Sequence, residues 1–124
     1  QPRFSTRRYA TASNEAVDKQ ILALHKAIAE KLLAEPELKQ QVLSTLEQRY
    51  QAGQLRHSAY IHWFSLLDQL NQPEVFLSEL LSDSERMRKL RRRTIFVGIL
   101  TEQERQQALS QHSLGTLDQV LTGF

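Results

Sequence analysis

The chain has 124 residues, 40% hydrophobic and 24% charged, with no cysteine and a formal net charge of +2. That is one domain's worth of sequence with enough apolar content for a core. The missing thiols exclude disulfides, zinc–thiolate sites and thiol catalysis. The longest apolar run, residues 95–100, is far short of the ~20 residues of a membrane helix, so no span is expected.

The charge is unevenly placed. Arg3, Arg7 and Arg8 fall within residues 1–8, and Arg86, Arg88, Lys89, Arg91, Arg92 and Arg93 within residues 86–93, with no acid in either stretch. The remainder holds 7 of the 16 Lys and Arg against all 14 acids, a net of −7. This is an acidic body with two basic segments.

In chain order, residues 1–13 lack acids and apolar periodicity, which predicts a basic extended or disordered arm. A helical domain over 14–124 follows. Val17, Ile21, Leu24, Ile28 and Leu32 recur at helical steps, with Ser13 or Asn14 as the cap. Pro36 ends that helix and opens the next, in which Leu38, Val42, Leu46 and Tyr50 share a face up to a glycine C-cap at Gly53. A third helix over 58–70 turns Tyr60, Trp63, Phe64, Leu67 and Leu70 inward. Pro73 opens a short fourth helix carrying Phe76, Leu77, Leu80 and Leu81.

Ser82-Asp83-Ser84-Glu85 reads as a capping box launching a basic helix with Met87, Leu90 and Thr94 inward. Residues 95–100 have no partner strand and read as a buried loop or helical turn. Thr101-Glu102-Gln103-Glu104 is a second capping box, for a helix to about Gln111, and a last short helix starts near Thr116. The fold class is all-α, an irregular bundle of five to seven helices in a single domain. Its expected core is Ile21, Leu24, Leu46, Trp63, Phe64, Leu67, Phe76 and Leu80.

The basic run carries the strongest functional signal. Six cations in eight residues repel one another and gain from phosphates or from a protein's acidic patch. On a helix Arg88, Arg91 and Arg92 share one face, flanked by Arg86, Lys89 and Arg93. The competing explanation is a solvated face neutralised by Glu79, Asp83 and Glu85. Sequence-specific DNA reading has less support, because the second helix of the nearest helix–turn–helix candidate, 38–52 and 58–70, is aromatic and apolar where base-reading side chains belong.

His25, His57, His62 and His112 show no metal-ligand spacing and are expected as hydrogen-bonded or solvated surface residues. Neither a Ser-His-Asp grouping nor a glycine-rich phosphate loop is visible, so no catalytic residue, metal or cofactor is assigned, and an enzyme would need a site assembled by the fold. The basic helix and the run after it form one expected docking surface, with Phe96 and Gly98 in the loop; core filling is the alternative for Phe96. Replacing Arg88, Arg91 and Arg92 together by Gln is then expected to leave folding nearly unchanged. The composition of the arm also fits a transit peptide.

Ser84-Glu85-Arg86, Leu90-Arg91, Phe96-Val97-Gly98-Ile99-Leu100-Thr101 and Glu104-Arg105 together resemble a stretch of small helical bacterial proteins of unassigned function, some encoded beside nucleotidyltransferase-like toxins. The pattern carries a proline before the phenylalanine where this chain has Ile95. The resemblance implies a bacterial, cytoplasmic, antitoxin-like role. The expected function is thus a non-enzymatic interaction module in the cytoplasm, or in an organelle matrix if the arm is a transit peptide. Its expected partner is a protein with an acidic surface; nucleic acid bound by the basic helix and arm is the alternative.

Overall fold

The computed structural model describes the backbone of residues 2–122 and the side chains of residues 15–112. Six helices and no strands make up the described residues: α1 (Pro2–Ala34), α2 (Leu38–Gln51), α3 (His57–Leu67), α4 (Pro73–Leu80), α5 (Glu85–Arg92) and α6 (Glu102–Thr122). The long α1 packs against α4, α5 and α6, while α3 packs against both α2 and α4. No described helix is long and apolar enough to cross a membrane.

Residues 2–13 continue α1 as helix, where the composition predicts an extended arm. Their side chains, with Arg3, Arg7 and Arg8, lie outside the described residues. At the other end α6 runs unbroken through residues 112–116, so the separate last helix expected near Thr116 does not exist. The apolar side chains of Leu117, Val120, Leu121 and Phe124 also lie outside the described set.

Local chemistry fixes most boundaries. Gly53 takes φ +72°, Gln54 N–H bonds the Arg49 carbonyl and Gly53 N–H that of Tyr50. This pairing closes the orphan carbonyls of α2. Pro73 stands in the first turn of α4, where its missing N–H costs nothing. Thr101 Oγ1 accepts from Glu104 N–H at 3.1 Å while Glu104 Oε1 accepts from Thr101 N–H at 2.9 Å, a reciprocal capping box.

The box expected at Ser82 is not formed. The cap of α5 is Ser84, whose hydroxyl accepts from Met87 N–H at 3.2 Å, and Glu85 is the first helical residue. Ser82 is otherwise occupied: its N–H bonds Glu79 at the end of α4, and its carbonyl accepts from Arg91.

Trp63, Leu66, Leu67, Phe76, Leu80, Leu46, Val42 and Leu32 form the centre of the core. Five of the eight expected core residues are fully buried there. Ile21 and Leu24 are only half-buried, and Phe64 is 45% exposed. Phe64 is one residue beyond Trp63, about 100° further around α3, so a helix that sinks Trp63 and Leu67 turns Phe64 to the rim. It lies 6.2 Å from Tyr60, which stacks on Tyr50 at 4.1 Å.

The loop 94–100 is part of this core, with Ile95, Phe96 and Ile99 buried. Phe96 meets Trp63 edge-on at 5.4 Å and His25 at 5.8 Å. Backbone groups of the loop are held from two helices: Arg49 donates to the Thr94 carbonyl at 2.6 Å, and Lys31 to the Ile99 carbonyl at 2.7 Å and to Glu104 at 2.6 Å.

Candidate functional site: a cationic groove

The basic helix does not present one cationic face. Arg91, expected at the surface, is 2% exposed, and its guanidinium donates to the carbonyls of Leu80 at 2.8 Å and Ser82 at 2.7 Å. It ties α5 to the end of α4. Burial pulls its pKa below the ordinary arginine value, and Asp18 and Asp83 oppose that shift. An eight-residue helix with Met87 and Leu90 on its inner side leaves position 91 nowhere to go but inward, because it follows Met87 by four residues.

The other five cations divide by partner. Arg88 is half-buried, and its Nε lies 3.7 Å from Asp83 Oδ1, beyond hydrogen-bond reach. Arg92 makes a two-point contact with Asp18 of α1, Nε to Oδ1 at 2.8 Å and the second amino nitrogen to Oδ2 at 2.6 Å. That contact holds the Asp18 carboxyl below the usual carboxylate range. Lys89 has an exposed pairing with Glu85 at 3.4 Å. The side chains of Arg86 and Arg93 are exposed and form no hydrogen bond or ion pair among the described residues.

Between α5 and the turn joining α2 to α3 lies a groove of about 900 Å³. Arg86, Lys89, Arg92 and Arg93 line it from α5 and its cap, Arg49 and Arg56 from α2 and the turn. Leu55, Ala59, Trp63 and Leu90 contribute its apolar lining, and no carboxylate lines it among the described residues. The first turn of α3 borders it through Ser58 and Ala59, and the capping position, Arg56, offers no side-chain acceptor to that turn. The positive end of the helix dipole therefore adds to the cations. A second cavity, about 440 Å³ along α1 and α6, has Lys19, Lys26 and Glu30 in its lining and no single sign of charge.

Of the predicted contact residues, the fold thus gathers Arg86, Lys89, Arg92 and Arg93 and withdraws Arg88 and Arg91. Arg49 and Arg56 were missed. They lie 44 and 37 positions before Arg93 in the chain, and only the tertiary fold brings them opposite α5. Of the predicted docking loop, Phe96 is withdrawn into the core while Gly98 stays at the surface. Phe96 is packed between two rings in the core, and Gly98 is exposed at φ +75° with its carbonyl 3.4 Å from Gln41 Nε2. Its positive φ serves the turn that returns Ile99 to the core.

His25 departs from the expected surface role. It is buried, with Nδ1–H donating to the Ile21 carbonyl at 2.8 Å and Nε2 accepting from Thr94 Oγ1–H at 2.8 Å. Thr94 Oγ1 in turn accepts from Phe96 N–H at 3.2 Å. These bonds suit a neutral imidazole with its proton on Nδ1, the form that burial favours by pushing its pKa down to about 4. His57 Nδ1 meets the Tyr50 hydroxyl at 2.8 Å. His62 is half-buried, and burial, with Arg86 nearby, lowers its pKa. No group of three His, Asp or Glu is placed to hold a metal among the described residues.

The fold and groove define an all-helical domain with a concave cationic surface. No protein-family model matches the chain, and neither curated proteins nor solved structures show a significant similarity to it.

Proposed function

We propose that this chain is a non-enzymatic interaction module that docks an acidic segment of a partner protein in the groove between α5 and the α2–α3 turn. The observation that carries the reading is the convergence of five arginines and one lysine on one groove whose described lining holds no carboxylate. Arginine suits such a site because its fork can hold a carboxylate through two bonds. The remainder of the chain favours a compact ligand over a nucleic acid. Outside its two basic segments it has a net charge of −7. A duplex or a long strand reaching past the groove meets a body of its own charge sign, whose field acts over about one Debye length, ~8 Å at physiological salt. A short acidic segment does not. An antitoxin-like regulator, as the resemblance of residues 84–105 implies, is one setting for such a module.

The test is fluorescence anisotropy with a labelled oligoglutamate peptide, against labelled single-stranded and duplex DNA, at low and physiological salt. The side chains of Arg56, Arg86 and Arg93 are exposed and make no hydrogen bond or ion pair among the described residues, so Arg56→Gln, Arg86→Gln and Arg93→Gln together keep the fold. Peptide binding is expected in the wild type and lost in this variant. Binding that survives the triple substitution places the site elsewhere, and tighter binding of DNA than of peptide establishes the nucleic-acid reading instead.

A further inference from the structure

We infer that the occupant of the groove is an amphipathic acidic helix of about two turns; this rests on the groove being the partner site. Length is the first argument. Arg86 and Arg93 are seven residues apart along α5 and its C-terminal cap, about 10 Å on a helix axis, which the roughly 11 Å of a two-turn helix matches. Spacing is the second. Arg86, Lys89 and Arg93 follow one another along α5 and its C-terminal cap at steps of three and four residues. Their backbones are thus about 4.5 and 6 Å apart along the axis. Carboxylates at positions i, i+3 or i+4, and i+7 of a helix alongside have the same intervals. An extended peptide presents one face every 6.6–6.8 Å or so and drifts out of step over the same row.

The third argument is the lining. Cations alone would serve any polyanion, but the half-buried Leu55, Ala59 and Leu90 also line the groove, above the buried Trp63. Such a surface asks for an apolar stripe bordered by acids on both sides, which a helix supplies and a uniformly charged strand does not. Arg56, from the α2–α3 turn, takes the second border, and Arg49 stands at the C-terminal end of α5. Arg49 is already oriented, since its bond to the Thr94 carbonyl at 2.6 Å uses one of its five donors.

Three peptides decide the matter: a lactam-stapled helix with leucines at the apolar positions and glutamates flanking them, an unstapled isomer with one central residue replaced by proline, and oligoglutamate. The stapled helix is expected to bind roughly tenfold or more tighter than the proline isomer, because it has no ordering cost left to meet. Its binding should fall with Arg86→Gln and Arg93→Gln, and Leu90→Ala should weaken it while leaving oligoglutamate binding unchanged. Equal affinity for stapled and proline peptides overturns the helix while leaving the groove as the acidic site. If none of the three binds, the groove reading fails with it.

Discussion

His25 gives the most direct handle on how this fold is held. The ring is buried with both nitrogens committed, and its pKa falls from 6.5 to about 4 because burial penalises the charged form, with Arg91 adding repulsion. Native protein keeps the imidazole neutral; unfolded chain protonates it near the ordinary value. Between those two pKa values the unfolded state binds more protons, so stability falls as the pH drops below 6.5 and the loss is complete below about 4. The gap is worth about 3 kcal/mol in full, and about 2 kcal/mol between about pH 7 and about pH 5. For a chain of this length the latter lowers the melting temperature by roughly 6–10 °C. Urea unfolding followed by the fluorescence of Trp63, the one tryptophan, measures it at both pH values. His25→Gln should be less stable near neutrality and lose about 2 kcal/mol less on acidification. Equal pH slopes in the two proteins, or an NMR titration of His25 near 6.5, would refute the reasoning.

Three further outcomes follow from the packing. Trp63→Ala removes the largest fully buried side chain and should cost about 3–5 kcal/mol in the same urea assay; a cost under about 1 kcal/mol would displace Trp63 from the centre of the core. Arg91→Met strips the Leu80 and Ser82 carbonyls of their donor and should cost about 2–4 kcal/mol, so replacing Arg88, Arg91 and Arg92 together destabilises the fold, against the expectation from sequence. Asp18→Asn frees Arg92 and should tighten oligoglutamate binding about two- to threefold at low salt, measured by anisotropy.

What could be read from the sequence is what local chemistry decides. Proline at 73, glycine at 53 and the Thr101–Glu104 pair act on backbone groups a few residues away, and each is where the pattern placed it. The errors fall where two local solutions were nearly equal or where a distant group decided. Ser82 and Ser84 both fit a cap; Arg91, nine residues on, takes the Ser82 carbonyl and leaves the role to Ser84. Phe64 and Leu66 lie on opposite sides of Trp63 around α3, and the core takes Leu66. Charge counting found the cations but not their directions, since whether an arginine bonds a buried carbonyl depends on helix ends that composition does not show. The groove cations outside α5 were invisible for the same reason: Arg49 and Arg56 belong to no basic run.

The groove also makes a prediction about stability whose sign separates a binding role from a structural one. Arg91, Arg92 and Lys31 are bonded to carbonyls or carboxylates and hold helices together. Arg86 is not: it is exposed, it stands in the first turn of α5 beside Glu85, and it lines the groove with five other cations. A cation there opposes the helix dipole, at a cost of about 0.3–1 kcal/mol, and like-charge repulsion adds to it. If the residue serves a ligand, the free protein carries that cost for nothing, and Arg86→Gln should raise stability by about 0.5–1 kcal/mol at low salt while weakening anion binding. The pKa of His62, which Arg86 helps to lower, should rise in the same variant and confirms by NMR that the local field has changed. Should Arg86→Gln instead destabilise the protein with the His62 shift present, the cation is a structural element, and the groove is not waiting for a partner.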